Sequence, residues 1–195
     1  MRKIRIMAHV SLDGVLDEGE ESALGAWTMP YRSPAGAAAV AEAQGKGIDL
    51  LLGRRTYDLW ARFWPQVKGG PFADTLNAAT KYVATHRPDS LSWGPARDLG
   101  ADVIAGIRGI KSMDGPDLVV WGSTTLTPLL LVQGLVDEVV LIVYPVLLGR
   151  GKRFFSDATD PRELALASTK TSPTGGLINT YRHVGPLAIG PRAER

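Results

Sequence analysis

Two short apolar runs, Leu50-Leu51-Leu52 and Leu118-Val119-Val120-Trp121, constrain the fold of this chain most. Each is opened by an aspartate, Asp49 or Asp117, and closed by a glycine, Gly53 or Gly122. A strand with apolar side chains on both sides of its pleat has to be covered on both faces, which is the situation inside a largely parallel sheet. Directly after each glycine comes a stretch of helical composition, Thr56 to Phe63 and Thr124 to Gln133. Strand, glycine and helix in succession, twice over, predict an α/β chain whose helices pack on both faces of a central sheet.

The remaining segments agree with that frame. Ile4 to Val10 alternates with the period of a strand, placing Ile4, Ile6, Ala8 and Val10 on one side and Arg5, Met7 and His9 on the other. Ala35 to Gln44 is rich in alanine and predicts a helix. Phe72 to Ala79 predicts a shorter one, and Lys81 to Thr85 a strand broken by His86-Arg87-Pro88-Asp89. Asp102 to Lys111 carries Val103, Ile107 and Ile110 at helical spacing. Glu138 to Tyr144 is β-rich and stops at Pro145, while Leu164 to Thr171 and Leu177 to His183 flank the turn Ser172-Pro173-Thr174-Gly175-Gly176, an antiparallel hairpin. Asp17 to Pro30 has no regular period and reads as a long loop. With 195 residues, no repeat and no linker, the chain is expected to form one domain over residues 1–185, with a flexible tail at 186–195.

Composition narrows the function classes. The 22 basic and 20 acidic residues leave a formal net charge of only +2, without the continuous basic stripe of a nucleic-acid binder. There is no cysteine, so thiolate nucleophiles and cysteine-based metal sites are excluded. His9, His86 and His183 have no metal-ligand spacing, and no metal is expected. No apolar run is long enough to span a bilayer, and Arg5 and His9 interrupt the start before a signal core forms. A cytoplasmic location without membrane contact is the expectation.

In open α/β sheets, ligands sit where strand ends meet helix starts. One such turn is Gly53-Arg54-Arg55-Thr56, whose free backbone N–H groups and arginines suit a phosphate. The other is Gly122-Ser123-Thr124-Thr125-Leu126, where a glycine permits close approach and three hydroxyl residues follow. Together the two turns suit a pyrophosphate; taken singly, Thr56 and Ser123 or Thr124 could simply cap helices. Thr85, His86 and Arg87, at the end of another strand, suit the extra phosphate that distinguishes NADPH. Neither glycine turn has the G-x-G-x-x-G or Walker A pattern.

At these residues the chain resembles the dihydrofolate reductase fold family, and within it the C-terminal reductase domain of the riboflavin-biosynthesis deaminase/reductase. Ser11-Leu12-Asp13-Gly14, Leu52-Gly53-Arg54-Arg55-Thr56-Tyr57, Gly134 to Glu138, Pro145 to Gly151 and Phe154-Phe155 carry the resemblance. It implies a three-layer fold with a mostly parallel central sheet and a C-terminal antiparallel hairpin, a standalone reductase that uses NADPH on a small heterocyclic or carbonyl substrate, and a homodimer. The compound 5-amino-6-(5-phosphoribosylamino)uracil is that family's substrate. The resemblance also implies that Ala8, Val15 and Leu16 flank the nicotinamide and that the two glycine turns hold phosphates. Asp17 to Pro30 would act as a lid, with Trp27 and Met29 as candidate substrate contacts or as simple apolar anchors.

Departures from the family matter too. Dihydrofolate reductases carry an acidic residue early in the first helix, where this chain has Ala35-Gly36-Ala37-Ala38-Ala39. Asp13 is the carboxylate nominated for proton transfer, with a turn role as its alternative. Dihydrofolate reduction and a non-catalytic nucleotide-binding or regulatory role remain the competing readings of function.

Overall fold

The computed structural model describes residues 1–17, 24–155 and 160–188. A single eight-stranded sheet organises them, built from β1 (Ile4–Ser11), β2 (Ile48–Gly53), β3 (Lys81–Ala84), β4 (Ala96–Asp98), β5 (Asp117–Trp121), β6 (Glu138–Tyr144), β7 (Arg162–Thr171) and β8 (Leu177–Pro186). Their spatial order is β4-β3-β2-β5-β1-β6-β8-β7. From β4 to β6 every pairing is parallel, and the β7–β8 hairpin joins antiparallel through β8. This is the dihydrofolate reductase-like α/β architecture expected from the sequence.

Among the described residues, five α-helices cover the sheet: α1 (Pro34–Gln44), α2 (Arg54–Phe63), α3 (Pro71–Ala78), α4 (Val103–Ser112) and α5 (Leu126–Val132). One face packs under α4 and α5, where Ile4, Ile6, Ala8, Leu118, Val120 and Val139 meet Ile107, Leu126 and Leu130 in an aliphatic core. The other face packs under α1, α2 and α3, where Met7, Val119, Trp121, Val140 and Tyr144 meet Val40, Tyr57, Trp60, Phe72 and Leu76. Close approach on the first face depends on a glycine. A Cβ on Gly106 of α4 would lie 2.1 Å from the Leu99 carbonyl oxygen, so no larger residue fits without moving the helix.

Most predicted elements stand within two residues of their expected bounds, and the differences have physical causes. The short edge strand β4 is absent from the sequence reading because three residues carry no period; it forms by pairing with Lys81, Tyr82 and Val83. Helix α5 begins at Leu126 rather than Thr124, because Gly122 and Ser123 both adopt left-handed backbone, with φ of 63° and 65°, and a right-handed helix cannot run through them. Residues 189–195, most of the predicted tail, lie outside the described residues, as do residues 18–23 of the predicted lid. Among the described residues, no helix is long and apolar enough to cross a membrane.

Candidate functional site

The strand order places the site. The chain passes from β1 to β2 and leaves a gap that β5 later fills. The helix leaving β2 packs on the aromatic face and the helix leaving β5 on the aliphatic one. Their two starts therefore splay around a crevice at the carboxyl ends of these strands, the usual ligand position in open α/β sheets.

The two glycine turns meet there. A Cβ on Gly53 would touch the Ser123 hydroxyl at 3.5 Å, and one on Gly122 would lie 3.9 Å from Leu16 Cδ2. Four sequence-nominated residues from three segments are thus adjacent. Gly53 is the N-cap of α2 and offers no capping side chain, so the N–H groups of the first turn face the crevice end of the helix without an internal acceptor. Ser123 does act as a cap, accepting a hydrogen bond from the Leu126 N–H at 2.9 Å. Thr127 closes the turn from below, donating from its hydroxyl to the Gly122 carbonyl at 2.8 Å. Among the described residues, the Thr124 and Thr125 N–H groups find no acceptor.

Beside this junction lies a cleft of about 380 Å³ lined by Arg54, Arg55, Asp58, Leu59, Arg62 and Arg87. Arg54 is less available than its sequence position suggests. Its Nε donates to both oxygens of Asp58 at 2.8 and 2.9 Å, and its Nη1 donates to Thr85 Oγ1 at 3.2 Å, the Arg87 carbonyl at 3.0 Å and Ser90 Oγ at 2.7 Å. Arg54 accordingly ties the start of α2 to the loop after β3. Thr85 holds that loop by accepting from the Arg87 N–H at 3.0 Å. Arg55, His86 and Arg87 are exposed at the rim. Arg62, two turns along α2 from Arg55, joins the lining without having been nominated.

The expectation for Asp13 changes. Its carboxylate accepts from Ser11 Oγ at 2.6 Å and from the Leu148 and Gly149 N–H groups at 3.2 and 2.8 Å. These bonds, the Ser11 hydroxyl first, lower its pKa to about 2. A carboxyl group held ionised in this way is a poor proton donor, and Asp13 instead stitches the β1 loop to the loop after β6. Backbone bonds complete the seam: Leu16 N–H to the Lys152 carbonyl at 2.8 Å and Phe154 N–H to the Gly14 carbonyl at 2.9 Å. Ala8, Val15 and Leu16 are buried by it.

Towards the same strand ends on the aromatic face stands a cluster of rings, of which His9, Trp121 and Tyr144 were not nominated from the sequence. His9 stacks against Trp121 and Tyr144, with ring centroids 5.4 and 5.8 Å away, and the Tyr144 hydroxyl lies 3.0 Å from His9 Nδ1. Register explains the meeting. Trp121 pairs with Met7 and Tyr144 with Ser11, so each is the diagonal neighbour of His9 on the same side of the pleat. Trp27 packs edge-on against Tyr144 at 5.6 Å, whereas Met29 is 58% exposed. Nearby, Thr28 is fully buried and its hydroxyl donates to Asp17 at 2.7 Å, with the Arg32 guanidinium 3.6 Å from the same carboxylate. Burial, then the positive charge of Arg32, push the His9 pKa down to about 4 against the opposing charge of Asp17. Strand alternation had placed His9 with Arg5 and Met7, opposite Ile4, Ile6, Ala8 and Val10, and both sides of this strand are covered.

Fold and crevice together define a dihydrofolate reductase-like α/β protein. Residues 100–178 match the family model of the RibD C-terminal domain, from the end of the β4 loop into β8, so the resemblance stated from the sequence holds. Among curated proteins, YyaP of Bacillus subtilis (strain 168) is 27% identical over 140 residues, covering 70% of this chain and 74% of its own. YwjB of the same organism is 28% identical over 121 residues, covering 62% and 66%. Among solved structures, a protein from Shewanella sp. PV-4 described as a riboflavin biosynthesis protein superposes with a TM-score of 0.65 at 18% identity, covering 93% of this chain and 99% of that one. A pyrimidine reductase-like protein from Corynebacterium diphtheriae gives 0.63 at 14%, covering 94% and 92%. The deaminase/5-amino-6-(5-phosphoribosylamino)uracil reductase of Thermotoga maritima gives 0.61 at 13%; this chain spans 57% of its length, and the match covers 94% of this chain.

Proposed function

We propose that this protein is an NADPH-dependent reductase of a small polar heterocycle, acting on a compound of the 5-amino-6-(5-phosphoribosylamino)uracil type. The observation that carries the reading is the junction of the Gly53 and Gly122–Ser123 turns beside the arginine-lined cleft. Uncapped N–H groups at the start of α2, the open N–H groups of Thr124 and Thr125, and the charges of Arg55, Arg62 and Arg87 form the cradle that a dinucleotide phosphate chain needs. The residues present fit the group.

NADPH, when bound, supplies a hydride. The chain's part is to position and to exclude water. Gly53 and Gly122 leave room for backbone approach, Arg54 holds the two rims of the cleft together, and buried Ala8, Val15 and Leu16 offer an apolar floor beside the Gly122 turn. Asp13 stays ionised and fixes the loop seam. The first turn of α1 holds no acidic residue, so the reading does not extend to a pterin that must be protonated from that position.

A thermal-shift titration with NADPH and NADH side by side tests this. At one hundred times its dissociation constant a ligand that binds only the folded state adds about 2.7 kcal/mol, or about 5 to 10 °C for a chain of this size. A shift with NADPH and little with NADH is expected, along with NADPH oxidation when the uracil substrate is added. No shift with either nucleotide would remove the cofactor and the reductase reading with it.

A further inference from the structure

The aromatic cluster around Tyr144 holds two ring nitrogens, Trp27 Nε1 and His9 Nε2, for which the described residues supply no acceptor. Trp27 Nε1 is buried and has no hydrogen-bond partner among the described residues. His9 has one, between Nδ1 and the Tyr144 hydroxyl; among the described residues nothing accepts from its Nε2. The hydroxyl of Tyr144 finds no other acceptor among the described residues; donating its proton to Nδ1 would place the ring proton of the neutral imidazole on Nε2. Trp27 and His9 flank the same Tyr144 ring, at 5.6 and 5.8 Å. A buried donor left open is costly to the empty protein, and this one belongs to a ring that packs on Tyr144 at the carboxyl end of β6, beside His9 on the neighbouring strand β1.

We propose that His9, held by Tyr144 as its Nε2–H tautomer, and Trp27 form a paired N–H donor set that grips a carbonyl or ring-nitrogen acceptor of the substrate. His9 is then a substrate-contact residue that sets specificity for an acceptor-bearing ring, and Tyr144 is its positioning residue. Trp121, stacked on His9 and donating its own Nε1 proton to Gln44 Oε1 at 2.9 Å, keeps the imidazole plane in place without competing for the substrate. An analogue without the acceptor leaves both donors unpaired in the complex, which is how a hydrogen-bonding site rejects it.

The inference rests on the reductase reading only for the choice of a pyrimidine probe. The test is a titration of histidine-¹⁵N-labelled full-length protein with 5,6-diaminouracil in the presence of NADP⁺, read at the His9 ring nitrogens. In the free protein His9 is expected as the Nε2–H tautomer, and its Nε2 signal should move saturably with the probe. His9→Gln, whose amide places a donor where Nε2–H was, should bind the probe within about threefold of wild type. His9→Asn and His9→Phe should bind about tenfold more weakly, and Tyr144→Phe should show mixed tautomers with an intermediate loss. A motionless Nε2 signal at the highest probe concentration, or equal affinity in His9→Phe, overturns the proposal. The NADPH thermal shift on the same samples separates the two ideas. A retained shift with a silent His9 sinks only the donor pair; a lost shift with a responsive His9 sinks only the reductase.

Discussion

The two faces of the central sheet are both covered by helices over the parallel strands, yet they are built from different chemistry. Under α4 and α5 the contacts are almost wholly aliphatic, with Ile4, Ile6, Leu118, Val120, Ile107 and Leu130 each excluded from solvent. Under α1, α2 and α3 the contacts are aromatic and carry polar handles: Tyr57, Trp93, Trp121, Tyr144 and the imidazole of His9. Aliphatic burial is non-directional and scales with area. Aromatic groups with N–H or O–H tips must find partners in a set direction. The first face therefore contributes stability, while the second also places donors at the crevice, and only the second has groups whose ionisation is shifted strongly by burial.

That contrast can be broken by substitution. Leu118→Ala, in the middle of the aliphatic face and fully buried, should cost about 2–5 kcal/mol in a urea melt while leaving the NADPH shift of the remaining folded protein intact. Loss of nucleotide binding out of proportion to stability would show that the aliphatic face is not merely supportive.

The aromatic face should reveal itself through pH. His9 has a folded pKa of about 4 against 6.5 for the free side chain, so between these values the unfolded chain binds more protons and stability rises with pH. Full stability is present above about pH 6.5 and is lost as the pH falls towards 4, a change of about 3 kcal/mol. His9→Gln, which does not titrate, should flatten that limb of the stability curve. An unchanged limb would mean that His9 is not enclosed by Trp121 and Tyr144 in solution.

Smaller effects sharpen the comparison. The Tyr57 hydroxyl accepts from the Trp93 N–H at 2.6 Å in a fully buried position, so Tyr57→Phe should cost about 1–3 kcal/mol by leaving that N–H unpaired. A loss near zero would indicate that shape alone holds this face. Gly122→Ala should cost about 1–2 kcal/mol, since φ at this residue is 63° and a side chain is disfavoured there. It should also weaken NADPH binding, a loss that Leu118→Ala does not share.

How much of this was visible beforehand differs by scale. The strand and helix order was legible because apolar runs and their periods are local, and Gly53 and Gly122 marked two turns that the structure brings together. Ser123 was read as a ligand-or-cap residue; it caps, yet from a left-handed position that no propensity announces. Arg54 was nominated for phosphate from its place after a glycine, whereas Asp58, Thr85 and Ser90 occupy much of its donor capacity. Two of those contacts, and a third to the Arg87 carbonyl, come from 31 to 36 positions further along the chain, beyond any local pattern.

By itself, then, the sequence determined the layers: which segments become strands, which become helices, and where glycine opens a turn at a strand end. These follow from backbone conformational preference and the period of burial, both properties of a few neighbouring residues. The tertiary structure alone decided the partners. His9 and Tyr144 are 135 positions apart and meet because β1 and β6 pair in a register that sets Ser11 against Tyr144. A shift of that register by one residue would turn Tyr144 to the other face and leave the imidazole without the hydroxyl that sets its tautomer.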